Sequence, residues 1–177
     1  MSKRVVLTGG PGFGKSSIIS EIEQRGFCIF PEVARALIQE STMHEVGLNT
    51  PLYPDDFAQK IISERIKQFN EAPLGWSFYD RAMPDVIGFL RKDRKAIPME
   101  TQSLCMELRY YSTVFITPPW EAIYQKDTER REDFRAAVHV HKALEEVYTQ
   151  LGYTLIAVPM GSIKQRADFV LKHLSIL

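Results

Sequence analysis

The sequence predicts an α/β fold: a five-stranded parallel sheet with helices on both faces. Three observations carry this. Short apolar runs alternate with helix-patterned stretches five times, as parallel strands joined by crossover helices do. A glycine-rich loop joins the first apolar run to the first helical stretch. A chain of 177 residues can bury one good core and is too short for two comfortable ones, so residues 1–177 are expected to form one domain.

The elements follow in order. Val5-Val6-Leu7 is a short buried strand, and after the loop Ile18, Ile19 and Ile22 line one side of a helix that Arg25-Gly26 ends. Phe27 to Phe30 is a second strand, stopped by Pro31-Glu32. Val33 to Gln39 is a helix with Val33, Leu37 and Ile38 inward. From Ser41 to Tyr53 periodicity is lost, and Gly47, Asn49 and Pro51 mark a loop. Pro54-Asp55-Asp56 starts a helix that carries Ala58, Ile62, Ile66 and Phe69 and ends before Ala72-Pro73. Trp76 to Tyr79 is the third strand, closing on Asp80-Arg81. Pro84 opens a helix with Val86, Ile87, Phe89 and Leu90, and helical pattern resumes from Met99 to Arg109. Thr113 to Ile116 is the fourth strand, ended by Pro118-Pro119; Trp120 to Asp133 is charge-rich and poorly periodic. A helix from Phe134 to Leu151 leads to a fifth strand, Tyr153 to Val158. Ser162 and Gln165 form a capping box for a last helix with Ile163, Ala167, Val170 and Leu174 inward.

Composition narrows the function. Lys and Arg total 22 and Asp and Glu total 22, so no global basic field exists to attract nucleic acid or an anionic membrane. Cys28 and Cys105 have no metal-binding spacing and read as small core residues. No apolar run is long enough to span a membrane and the first is too short for a signal-peptide core, so a cytoplasmic protein is expected.

The chemistry gathers at the strand ends, because right-handed crossovers bring all five C-terminal ends to one sheet edge. Gly9-Gly10-Pro11-Gly12-Phe13-Gly14-Lys15-Ser16 fits G-x-x-x-x-G-K-[ST] between a strand and a helix, the context the phosphate-binding loop requires. Its backbone N–H groups and the helix N-terminus suit phosphate oxygens. The expected nucleotide contacts are Gly10, Gly12, Phe13, Gly14, Lys15, Ser16 and Ser17, with ATP as the nucleotide. Lys15 is expected to project into an open cleft toward the β- and γ-phosphates, and Ser16 offers a hydroxyl to Mg²⁺. Asp80 ends an apolar strand as a Walker B aspartate does, and so joins Ser16 as a candidate metal ligand; otherwise it is a turn residue or a partner for Arg81. Arg81 either steadies a phosphate or the acceptor, or pairs with a neighbour such as Asp85. Glu32 is either a base for an acceptor hydroxyl or a first-turn acid, and Arg35 either pairs with it or binds an anionic substrate. The segment 120–133 is where small kinases place a mobile lid. Arg130 or Arg131 there could neutralise the transferred phosphoryl group, against a solvated mixed-charge turn. His44, His139, His141 and His173 form no ligand pattern and read as structural.

These motifs together resemble a family. Gly9 to Ser16, Pro31-Glu32-Val33-Ala34-Arg35, Asp80-Arg81, Pro119-Trp120 with Asp127 and Arg130, and Gly152-Tyr153 with Val158-Pro159 recur in the predicted AAA-type ATPases grouped with the ribosylnicotinamide kinase domain of the bacterial NAD regulator. The resemblance covers nearly the whole chain. It implies a P-loop NTPase of nucleotide-kinase type, using ATP and Mg²⁺, with Glu32 as acceptor-side base and Asp80 as metal-site acid. Catalysis is then expected from Lys15, Glu32, Asp80 and Arg130. Phe13, where small residues are common, and the gap from Trp120 to Asp127 depart from the pattern. The favoured reading is a kinase for a nucleoside-like hydroxyl. The alternative is an ATPase or nucleotide switch that regulates a protein partner, and a silent nucleotide-binding module is a third. A mechanical AAA+ motor usually carries Asp-Glu where Asp80-Arg81 stands here.

Overall fold

A computed structural model describes residues 1–43, 55–124 and 133–176. The order is β1 (Ser2–Thr8), α1 (Lys15–Gln24), β2 (Cys28–Phe30), α2 (Val33–Met43), α3 (Asp55–Asn70), β3 (Gly75–Asp80), α4 (Met83–Lys92), α5 (Met99–Glu107), β4 (Thr113–Ile116), α6 (Phe134–Gln150), β5 (Thr154–Ala157) and α7 (Ile163–His173). The five strands form one sheet, ordered β2-β3-β1-β4-β5, and every pairing is parallel. The sequence places all of these strands and helices.

Strand β1 is central, and Val5, Val6 and Leu7 are fully buried because helices cover both faces of the sheet. Strand alternation divides the core. Val6, Tyr79 and Val114 pack with Met83, Val86 and Val147 on the face covered by α3 to α6. Val5, Leu7, Phe78 and Phe115 face Ile18, Ile22, Ala167 and Val170 of α1 and α7. An ion-paired Arg25, reaching both Glu21 and Asp168, ties α1 to α7 at its rim.

Boundaries differ by a few residues. Helix α2 runs on to Met43 and α5 stops at Glu107. Strand β5 is shorter than its apolar run, although Tyr153 and Val158 are still buried and the Val158 N–H still donates to the Ile116 carbonyl. Burial extends further than strand pairing. Cys105 is buried, as expected, and Cys28 is half-buried. Among the described residues no helix is long and apolar enough to cross a membrane.

The chain goes from β1 to the β2 side, returns through β3, then crosses to β4 beyond β1. The crevice of such a sheet lies where the order reverses, at the C-terminal ends of β1, β3 and β4. In register, Leu7 stands beside both Asp80 and Phe115, so the loops after these strands emerge side by side.

Candidate active site

The loop after β1 is shaped by glycines at two decisive places. Gly9 has φ 128°, and a side chain there would come within 2.5 Å of Thr117 Oγ1 and 2.7 Å of the Thr117 carbonyl oxygen. Gly14, at φ 78°, caps α1 without supplying a side-chain acceptor. The first-turn N–H groups of α1 are thereby left for a ligand anion. Phe13 turns the other way. Its ring is fully buried and packs edge-on to His141 and tilted against Phe134 and Tyr124, with centroids 5.9–6.3 Å away. Its contact with a nucleotide is therefore limited to the backbone.

Lys15 is 4 % exposed, and its Nζ donates to the Gly10 carbonyl at 3.0 Å. The open position expected from the sequence is corrected here: the loop folds its own carbonyl over the amine. Burial, followed by the charge of Arg81, lowers the Lys15 pKa to about 8. One residue on, Ser16 Oγ donates to Asp80 Oδ2 at 2.7 Å. Asp80 is 2 % exposed, and its Oδ1 has no hydrogen-bond partner. Burial and the nearby charge of Glu32 push its pKa up, against the pull of Lys15, Arg81 and Ser16. A buried carboxylate oxygen without a donor, next to a hydroxyl, fits the hard-oxygen donor set that Mg²⁺ takes. Among the described residues no three His, Cys, Asp or Glu side chains assemble into a metal cage. A metal here would thus depend on substrate phosphates for the rest of its shell, as Mg²⁺ commonly does. Ser17 is exposed on the first turn of α1.

Glu32, just past β2, accepts from Arg81 Nε at 2.8 Å. Arg81 Nη1 also donates to the Gly9 carbonyl at 2.9 Å and to Asp85 Oδ1 at 3.1 Å. The salt bridge to Asp85 that the sequence leaves open is therefore formed, with Glu32 as a second partner. Burial alone would raise the Glu32 pKa, but the charges of Arg81 and Lys15, aided by Arg35, bring it to about 2. Arg81 has φ 72°, a strained conformation for a side-chain-bearing residue, at the strand end where the loops converge.

Asp85 closes the arrangement from behind. Fully buried, it accepts from Thr8 Oγ1 (2.7 Å), the Ala82 N–H (2.9 Å), Arg81 and the Tyr148 hydroxyl (2.6 Å). On the far side of the loop, Arg166 of α7 donates to the Phe13 carbonyl at 2.9 Å and lies over the Trp120 ring at 5.5 Å.

A family model described as an AAA domain matches residues 4–166. The chain belongs to this AAA-domain family. No curated protein matches the sequence. The fold is shared with P-loop nucleoside and nucleotide kinases. One is the deoxyadenosine kinase of M. mycoides solved with dCMP and dCDP, at 17% identity and TM-score 0.69, covering 98% of this chain and 100% of that one. Another is the thymidylate kinase of Ehrlichia chaffeensis, at 12% identity and TM-score 0.66, covering 98% of each chain. A third is NadR in complex with NAD and AMP-PNP, at 13% identity and TM-score 0.65, where the match covers 99% of this chain and 50% of that one.

In this AAA-domain chain the sequence-predicted residues Lys15, Ser16, Glu32, Asp80 and Arg81 converge at one sheet edge, linked by short contacts or by charge. Arg130, Arg131 and most of the expected lid, residues 125–132, lie outside the described residues, as does His44. Described residues at the start of that segment, Glu121–Ile123, form a short 3-10 turn. His141 faces Glu145 and Phe13, and His173 packs on Phe115 and Phe169, in structural surroundings. Sequence reading missed Thr8, Tyr148 and Arg166, and saw Asp85 only as a neighbour of Arg81. The one available signal was an acid set directly between Met83-Pro84 and Val86-Ile87.

Proposed function

We propose that residues 1–177 act as a single ATP-dependent kinase domain that transfers the γ-phosphate to a hydroxyl of a small-molecule acceptor. The observation that carries this reading is the position of Glu32. Its ionised carboxylate lines a cavity beside the phosphate loop, bound to the same Arg81 that holds the Gly9 carbonyl.

In this reading the N–H groups from Gly10 to Ser17 receive the phosphate oxygens. Lys15 leaves the Gly10 carbonyl to meet the β- and γ-phosphates. Ser16 and Asp80 would hold Mg²⁺, which would supply charge neutralisation to the phosphates when bound. The acceptor hydroxyl donates to Glu32 and its oxygen attacks the γ-phosphorus. The bond from that phosphorus to the β-bridging oxygen breaks, ADP leaves with the electron pair, and Glu32 takes the hydroxyl proton. With a pKa near 2, Glu32 orients the hydroxyl at every physiological pH and accepts its proton late, as a loose phosphoryl transition state permits. Arg35 is assigned to binding the acceptor, and Arg130 of the expected lid to the charge that develops on the transferred phosphoryl group. The reading is supported by the shared fold and by the fit of Ser16 and Asp80 to a metal.

The test is ADP release across a panel of hydroxyl acceptors. Glu32→Gln should lower acceptor-dependent turnover by about 10²–10⁴-fold while ATP affinity changes little. Release that no acceptor stimulates, and that Glu32→Gln leaves untouched, would replace the kinase with the ATPase or switch.

A further inference from the structure

Behind Glu32 the cavity continues between α3 and α4. Its volume is about 100 Å³, against the roughly 10–15 Å³ that admits one water. Ala58 and Ile61 of α3 and Val86 and Phe89 of α4 make most of the wall apolar. Arg65 of α3 interrupts it. This side chain is 3 % exposed, and neither its Nε nor its Nη1 has a hydrogen-bond partner. Among the described residues no carboxylate pairs with it. That is unusual, because a buried guanidinium without a counter-ion carries a large desolvation cost.

The other charges of the cavity are accounted for. Glu32 is closed on Arg81 at 2.8 Å, and Asp93 on Lys92 at 3.1 Å. Lys95 at the rim adds a further cation. Arg81 is held by Asp85 as well as Glu32, so Arg65 is the cation left without a direct partner among the described lining residues that are 3 % exposed or less, at the buried end of a space large enough for several heavy atoms. Guanidinium has donors only, so the missing partner is an acceptor of hydrogen bonds, and its permanent charge favours an anionic one, which it can hold through two parallel donors.

We propose that Arg65 is a specificity-determining residue: it binds an anionic oxygen group, carboxylate or phosphate, carried by the acceptor away from the hydroxyl that Glu32 orients. Calling the occupant an acceptor rests on the kinase reading; the anion site itself does not. Phe89 and the aliphatic wall enclose the body of the molecule, and Arg65 reads its charge.

The experiment uses matched sugars, ribose with ribose 5-phosphate and glucose with glucuronate, in equilibrium binding and in ADP release. The full chain is compared with Arg65→Gln. Any binding at the phosphate loop is common to both proteins and cancels. At least one anionic member should bind about 10- to 100-fold more tightly than its neutral twin, and Arg65→Gln should erase most of that preference. Arg65→Met supplies a readout free of ligand. Removing an unpaired buried cation should raise the melting temperature of the ligand-free protein, whereas removing a structural strut would lower it. The proposal is overturned if neither anion binds better than its twin, if Arg65→Gln keeps the preference, or if Arg65→Met melts lower. Preference for an anion, with no ADP release stimulated by these sugars or by the wider hydroxyl panel and basal release untouched by Glu32→Gln, would leave the site standing and sink the kinase. Turnover of neutral and anionic members alike, unchanged in Arg65→Gln, would do the reverse.

Discussion

Lys15 shows how a single burial changes a residue's chemistry. Its ordinary pKa of 10.5 falls to about 8 in the folded protein. The unfolded chain therefore holds more protons than the native one between these values, and ligand-free stability rises with pH across that window. A phosphate meeting Nζ favours the charged form and draws the pKa back up. ATP binding just above pH 8 should then take up a proton, read by calorimetry in buffers of different ionisation heat. Lys15→Arg should abolish the uptake, because a guanidinium is charged throughout. No uptake by the wild-type protein would show that Lys15 does not meet the phosphate. Motif spacing located this residue but not its burial, since the covering group is a backbone carbonyl, which leaves no mark in a pattern of side chains. Phe13 is a similar case. Its place in the motif was plain, but its ring answers to Phe134 and His141, more than a hundred residues away.

At the scale of elements, Asp85 binds β1 through Thr8, the strand-three turn through Arg81 and Ala82, and α6 through Tyr148. Asp85→Asn breaks a buried charge pair and should cost roughly 3–5 kcal/mol in urea unfolding. Tyr148→Phe removes one hydrogen bond and should cost about 0.5–1.5 kcal/mol. Equal costs would show that Asp85 acts as one more hydrogen-bond acceptor and not as the counter-charge of Arg81. The strands and helices themselves were legible because each apolar run is long enough to show its period, and Gly26, Pro73 and Gly152 punctuate the ends. The polar knot was not legible, because it exists only once four elements have packed. The positions of Glu32 and Asp80 at the sheet edge were legible because each closes an apolar strand by itself, whereas contacts that need several elements at once were not.

Considered whole, the molecule is predicted to be stabilised by its ligand. At a hundredfold excess over its dissociation constant, Mg²⁺·ATP should add about 2.7 kcal/mol, which for a chain of this size raises the melting temperature by roughly 5–10 °C. Asp80→Asn should lose the part of that rise which depends on Mg²⁺ and keep the part due to metal-free ATP. Equal losses with and without Mg²⁺ would make Asp80 a structural residue. The parallel sheet and the gathering of its strand ends at one edge followed from five alternations of strand and helix. The order β2-β3-β1-β4-β5, and with it the reversal at β1, came only from the structure, because alternation does not say on which side the next strand is laid.

The two tryptophans lie at opposite ends of the sheet. Trp76 opens β3, with Lys3 4.3 Å above its ring, whereas Trp120 lies beneath Arg166, whose guanidinium also holds the Phe13 carbonyl of the phosphate loop. The protein consequently carries an optical label at its own site. In Trp76→Phe the whole indole emission comes from Trp120, and a fluorimeter then watches the phosphate loop without dye, coupling enzyme or radioisotope.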